Sequence, residues 1–480
     1  MNMISTRDTS KTAQSYADVL LAGLAPDGGL YVPSEYPQLS RAELQELKGH
    51  SYRDIAFAIK KKLIGGDIPD KDLRGMIDRA YSESSFGAAE GGNIVPLIRV
   101  EDDFYVQQLS LGPTAAFKDM AMQELGQEMQ YELKKRGEHL TILGATSGDT
   151  GSAAEAAFKG LTSVTLFMLS PEVGMSAFQK AQMGMLSGGN IFNVSVRGRF
   201  DDCQDLVKEL KQEEEFSKLG AVNSINWGRI SSQVPYFVSG YLQAAAHIGD
   251  PVDFVVPSGN FGDMLSGYIA KQMGVPIRRL IVATNENTVL DTLFKTGIYT
   301  LASAQVTSSP SMDISKASNY ERLAFDVLKG DAAALTRYMS EFESKKRVDL
   351  KDYGASAEDF TALGFSSDSS SHTDRLQAIR DVYKKCAYVI DPHTADGVSV
   401  GFREKKSDGV PMVCMGTALA VKFEETIQEA LGFVPERPVR FKDLERGLPE
   451  KAFHVIDVDA EQLRQLIRKH APAANSSDVS

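Results

Sequence analysis

Residues 139–169, HLTILGATSGDTGSAAEAAFKGLTSVTLFML, carry the pattern on which the fold reading turns. HLTILGA is a short apolar run closed by small residues, as in a buried strand. TGSAAEAAFKG is helical in composition, and SVTLFML is a second apolar run. Strand, helix and strand within about thirty residues indicate a crossover unit of a parallel sheet. The alternation continues downstream. NIFNVSV precedes the helical RFDDCQDLVKELKQ, VDFVVP precedes FGDMLSGYIAKQMG, RRLIVAT follows, and VPMVCMG precedes KFEETIQEALG. The chain is therefore expected to be α/β from about residue 100 onward.

The first 95 or so residues differ in character. GLAPDGGLYVP is dense in turn formers, and RAELQELKGHSYRDIAFAIKKKL has helical apolar spacing. GFSSDSSSHTD at 364–374 reads as a surface loop or insertion, and PAANSSDVS at the end as a disordered tail.

Composition bounds the function. The 480 residues are 42% hydrophobic and 24% charged, enough for two or three globular domains. A net charge of −12 argues against general nucleic-acid binding, which needs a basic surface, but leaves room for a local basic pocket. Cys203, Cys386 and Cys414 are widely spaced and form no CxxC pair, so neither a disulfide framework nor a metal site is expected. No apolar run reaches membrane-spanning length, and the polar start lacks a secretory core. The expected setting is cytoplasmic, without membrane or nucleic-acid partners.

Three junctions rich in small polar residues fall where a parallel sheet presents its carboxyl edge. Helix N-termini there offer unpaired N–H donors and a favourable dipole for anions. The first is GATSGDTGSAA, with Thr146, Ser147, Gly148, Asp149 and Thr150; the second is VPSGNFGD, with Gly259, Asn260, Phe261, Gly262 and Asp263. A capped helix start is the plainer reading of either one alone. Neither is a P-loop or a GxGxxG fingerprint. Together they suggest two anionic groups, such as a cofactor phosphate and a substrate carboxylate. The third is LGPTAAFKDMAMQ, with Lys118 just inside a helix start. A lysine there sits against the dipole, so its charged form is slightly disfavoured, as suits an imine-forming amine.

In this order and at these separations, GPTAAFKD, GATSGDTG and PSGNFGD resemble the threonine synthase family of pyridoxal-phosphate (PLP) enzymes. STR, GLAPDGGLYVP, FDDCQDLVK, AVNSINWGRI, SMDISKASNYERL, DPHTADGV and MGTALAVKF extend the resemblance almost from end to end. It implies a tryptophan-synthase β-like fold (fold type II), with two α/β domains around the cofactor and an N-terminal extension. The expected boundaries are a helical, turn-rich domain at 1–95, a smaller mobile domain at 118–235, a large PLP-binding domain at 96–117 and 236–465, and a flexible tail at 466–480.

The resemblance also implies roles. Lys118 would hold the cofactor as a Schiff base and shuttle protons. Gly259 to Asp263 would hold the cofactor phosphate through backbone amides. Asp149 would lie beside the pyridine hydroxyl, and Thr417 would face the pyridine nitrogen and leave it largely unprotonated. Thr146, Ser147, Gly148 and Thr150 would grip the substrate carboxylate. Ser224, Asn226, Arg229 and Lys180 are candidates for a substrate phosphate, and His393 falls near the site. The implied reaction converts O-phosphohomoserine and water to threonine and phosphate, in a monomer or homodimer acting on a small phosphorylated amino acid.

Several family positions differ. Ser110 replaces a common histidine, Leu419 and Ala420 replace His-Pro, Gly174 and Met175 fall where a basic residue is usual, and Thr288 replaces an aspartate after Asn285 and Asn287. The alternative is therefore a family-like PLP lyase or β/γ-replacement enzyme with another leaving group or nucleophile.

Overall fold

The computed structural model describes residues 1–88, 92–173, 175–216, 219–220, 222–449 and 451–471. The chain divides into two compact units: Met1–Phe117 with Ser224–Glu436, and Lys118–Asn223 with Arg437–Ser480.

The first unit is built on a six-stranded sheet. Its strands run in the order Phe365–Ser369, Ile277–Thr284, Val252–Pro257, Met412–Gly416, Phe104–Gln108 and Leu97–Glu101. All neighbours are parallel except the last pair, a hairpin. Between Val252–Pro257 and Met412–Gly416 the register sets Asp253 opposite Met412, Phe254 opposite Val413 and Val255 opposite Cys414. The loops that follow these two parallel strands, Ser258–Asp263 and Thr417–Leu419, therefore leave the same carboxyl edge side by side, the usual place for a ligand in such a sheet. Val255, Ile281, Val398, Ile379 and Met412 belong to one buried cluster that fixes the sheet against its helices. Each such side chain contributes roughly 1.5–3 kcal/mol on burial.

The second unit has a four-stranded parallel sheet in the order His454–Ile456, Ile191–Val196, Val164–Pro171 and Leu140–Ala145. Its core gathers Leu143, Phe167, Val194, Leu206, Ile456 and Leu463.

Several expectations are corrected. Residues 1–95 do not stand apart but pack into the first unit, where Arg322 Nε donates to Tyr31 O at 2.8 Å and Arg7 pairs with Glu321. The smaller unit ends at residue 223 rather than 235, because Trp227–Ala244 is one buried helix of the first unit. It regains chain at 437, since the strand His454–Ile456 extends its sheet. The tail reading fails for 466–470, which complete the helix Ala460–His470 on buried Leu463 and Ile467, and its remainder, 472–480, lies outside the described residues. The polar stretch 364–374 is no insertion. It forms the edge strand Phe365–Ser369 and then Ser371, which caps the helix His372–Cys386.

Candidate active site

Lys118 opens the helix Lys118–Arg136 in the second unit. Its side chain is 14% exposed, and Nζ lies 3.9 Å from Asp149 Oδ2. Asp149 opens the helix Asp149–Phe158 and is 5% exposed. Its other oxygen accepts from Gln179 Nε2 at 3.1 Å. Gln179 is placed by a capping box with Ser176 at the start of Ala177–Leu186. The sequence reading did not single out Gln179, although the S-x-x-Q spacing was a usable signal.

The loop before Asp149 is held by its own side chains. Thr146 Oγ1 accepts from the N–H groups of Gly148 and Gly151 at 3.0 and 2.9 Å. Gly148 has φ 143°, and a Cβ there would lie 2.5 Å from Gln179 Nε2. Only glycine fits. Thr146 is thus buried as a loop organiser, while Ser147 is exposed and Thr150 half-buried. Lys180 Nζ lies over the Phe453 ring.

In the first unit, the loop after Val252–Pro257 enters the helix Gly262–Gln272 through Phe261 at φ 64°, a left-handed conformation uncommon for a bulky residue. The Phe261 ring packs with Phe294 and Phe365, which offsets the strain. Among the described residues, no protein group accepts from the backbone N–H of Gly259, Asn260, Phe261 or Gly262. Asn319 N–H donates to Asn260 O, and a Cβ on Gly259 would lie 3.0 Å from Met312 Cα. Asp263 is buried, accepts from Tyr236 OH at 2.6 Å, and is pushed by burial up to about 7. Such a carboxyl can stay protonated beside an anion.

The approach to Lys118 is also fixed in the first unit. Phe117 N–H donates to Thr417 O at 2.7 Å, Leu419 N–H donates to Ala115 O at 3.0 Å, and Lys422 Nζ donates to Thr114 O at 3.0 Å. The departures at Leu419 and Ala420 therefore fall in a segment zipped to GPTAAF through its backbone. Ser110 is buried, Met175 is half-buried, and Gly174 lies outside the described residues. Asn285 and Asn287 both donate to Asp313 Oδ1, binding the segment 305–313. Thr288 precedes the helix Val289–Thr296 without a side-chain cap.

Of the phosphate candidates, Asn226 is engaged at both ends: its Nδ2 donates to Leu20 O at 2.9 Å, and its Oδ1 caps the helix Trp227–Ala244 by accepting from Gly228 N–H at 2.8 Å. Arg229 is 5% exposed and pushed by burial down to about 10, which leaves it charged at neutral pH. Ser224 is half-buried, with Oγ 3.3 Å from Ser318 Oγ.

His393 belongs to a buried network. Its Nδ1 is 2.8 Å from Asp391 Oδ1, and its Nε2 accepts from Ser311 N–H at 3.0 Å. Asp391, missed in the sequence reading, caps the helix Pro392–Glu404; the Asp-Pro pair at a helix start was its signal.

Each unit holds residues of the kind a PLP group uses: a lysine amine beside a carboxylate in the second, and, in the first, an amide cradle at a helix start suited to a phosphate and a buried hydroxyl at Thr417. Residues 92–357 match the family described as pyridoxal-phosphate dependent enzyme. The chain is a PLP-dependent enzyme of fold type II.

Residues 2–81 match the family described as Threonine synthase N terminus, and 394–467 that described as Threonine synthase, C-terminal. The chain is 48% identical to a threonine synthase of Methylobacillus glycogenes, over 98% of this chain and 100% of that protein. It is 46% identical to that of Corynebacterium glutamicum, over 97% and 98%. A PLP-bound threonine synthase structure from Brucella melitensis superposes with a TM-score of 0.92 at 39% identity, covering 98% of this chain and 100% of that one. The chain belongs to the threonine synthase family. Among the described residues, no helix is long and apolar enough to cross a membrane, and no cluster of His, Cys, Asp or Glu is placed to hold a metal.

Proposed function

We propose that this chain converts O-phosphohomoserine and water to threonine and inorganic phosphate, in the cytoplasm. The observation that carries the reading is Lys118 Nζ held 3.9 Å from Asp149 Oδ2 at two helix starts, in a chain 48% identical to a threonine synthase along its whole length.

When bound, the cofactor supplies the electron sink that stabilises negative charge at the substrate's Cα. Lys118 would hold its aldehyde, and the amides of Gly259 to Gly262 would hold its phosphate at the helix N-terminus. Asp149, fixed by Gln179, would lie beside its ring hydroxyl. The Lys118 amine removes a proton at Cα and then one at Cβ. The bond from Cγ to the phosphate oxygen breaks, a proton returns to Cγ, water adds at Cβ, and Cα is reprotonated. Ser147 and Thr150 grip the substrate carboxylate, with Gly148 giving close backbone approach. Arg229 and Ser224 serve the substrate phosphate, Arg229 through its two-pronged guanidinium.

Incubating the cofactor-loaded protein with O-phosphohomoserine should release phosphate and threonine in equal amounts. Phosphate release with a keto acid, or no turnover, would contradict the proposal.

A further inference from the structure

We infer that Asp391 is a positioning residue that takes the hydroxyl proton of Thr417, so that Thr417 presents an acceptor to the cofactor's ring nitrogen and a proton is held on that nitrogen. This rests on the placement of Thr417 at the nitrogen that the family resemblance implies, and it reverses the protonation state implied by the resemblance alone.

Asp391 is fully buried. It accepts from His393 N–H at 3.0 Å, from His393 Nδ1 at 2.8 Å, from Ala418 N–H at 3.2 Å and from the Thr394 hydroxyl. Thr417 Oγ1 lies 3.1 and 3.0 Å from its two oxygens. A carboxylate accepting this many donors is ionised. Burial alone would raise it, yet the bonds from His393, Thr394 and Thr417 hold it below the ordinary carboxylate value.

His393 cannot neutralise that charge. Its Nε2 accepts from Ser311 N–H, so its one ring proton is on Nδ1 and points to Asp391. Thr394 Oγ1 also lies 3.1 Å from Thr417 Oγ1, but as a neutral hydroxyl it is a weaker acceptor for the Thr417 proton than the carboxylate. The Thr394 hydroxyl proton goes to Asp391, and its oxygen accepts from Thr417 N–H at 2.9 Å. Thr417 has a single hydroxyl proton, and the carboxylate is the strongest acceptor within its reach. What remains on Thr417 is lone-pair density. An oxygen with only lone pairs to offer repels an unprotonated pyridine nitrogen and stabilises a protonated one. The buried anion one hydroxyl away adds to that preference.

The test reads the nitrogen directly. The protein is loaded with pyridoxal phosphate isotopically labelled at the ring nitrogen, and its nitrogen NMR shift is recorded in the wild type, Asp391→Asn and Thr417→Val. The expected wild-type shift is that of a pyridinium. Asp391→Asn should move it to the range of a neutral pyridine, while the absorbance of the lysine-bound cofactor persists. It should lower kcat roughly 10- to 100-fold with little change in KM, the size of effect known for outer partners of metal ligands. A neutral pyridine in the wild type overturns the inference without any variant, as does a pyridinium retained in Asp391→Asn. If Thr417→Val moves the shift and Asp391→Asn does not, Thr417 faces the nitrogen but Asp391 does not set its proton. If Thr417→Val leaves the shift unchanged, the underlying placement of Thr417 fails.

Discussion

The loops at 146–150 and 258–263 use the same small vocabulary of Gly, Ser, Thr, Asn and Asp, yet they are held in opposite ways. The first turns its own hydroxyl inward, with Thr146 accepting from Gly148 and Gly151, and locks its carboxylate with Gln179. The second leaves four backbone amides without a protein acceptor among the described residues and is braced from outside by Phe294, Phe365, Asn319 and Tyr236. A loop that spends its polar groups on itself positions a single side chain. A loop braced from behind leaves its amides open at a helix start, where an anion is favoured. The difference lies in partners distant in sequence, so loop composition alone does not show it.

Substitutions at the two loops test this contrast. Gly148→Ala should have the largest effect, because the new Cβ meets Gln179 at 2.5 Å and the φ of 143° disfavours any side chain. We expect about a 10²-fold loss of turnover and roughly 1–3 kcal/mol of stability in denaturant titration. Adding Gln179→Ala should recover only the part due to the clash. Full recovery would show that the backbone conformation costs little.

Gly259→Ala should act more weakly. Its Cβ would stand 3.0 Å from Met312 Cα and Ile314 Cγ1, displacing the cradle without collapsing it. Cofactor binding should weaken about tenfold, or about 1.4 kcal/mol, with the lysine-bound absorbance retained at saturation. Unchanged affinity would remove the cradle from cofactor binding.

Asp263→Asn should give the smallest effect on turnover and cofactor affinity, and is read instead as a pH dependence of stability. The Asp263 carboxyl is raised from 3.8 to about 7 by burial. The folded chain holds a proton there that the unfolded chain has released, so this stability is complete below 3.8 and is lost as pH rises through about 7. In the cofactor-free protein the wild type should lose on the order of 4 kcal/mol across that window. The asparagine variant should lose less, and equal slopes would contradict the assignment.

Much of the site was legible because its signals are local. Lys118, Asp149 and the Gly259–Asp263 loop each sit where a strand ends and a helix begins, which short windows of sequence reveal. What escaped depended on distant partners. The sequence does not show that Leu20 and Gly228 engage the two ends of the Asn226 side chain. The stretch 364–374 looked like a loop because an edge strand can be polar; its pairing with Ile277–Thr284 and the Ser367 hydroxyl donating to Asp291 anchor it. The strand His454–Ile456 is three residues long, too short for periodicity, yet it carries the chain's end back into the second unit.

The central claim is that Lys118 is the residue to which the cofactor is bound. Borohydride reduction of the loaded protein, followed by digestion and peptide mass mapping, tests it most directly. The account predicts one reduced pyridoxyl-phosphate adduct, on Lys118, absent from Lys118→Ala, whose turnover should fall roughly 10²- to 10⁴-fold. An adduct on another lysine, or a fully active Lys118→Ala, would contradict it.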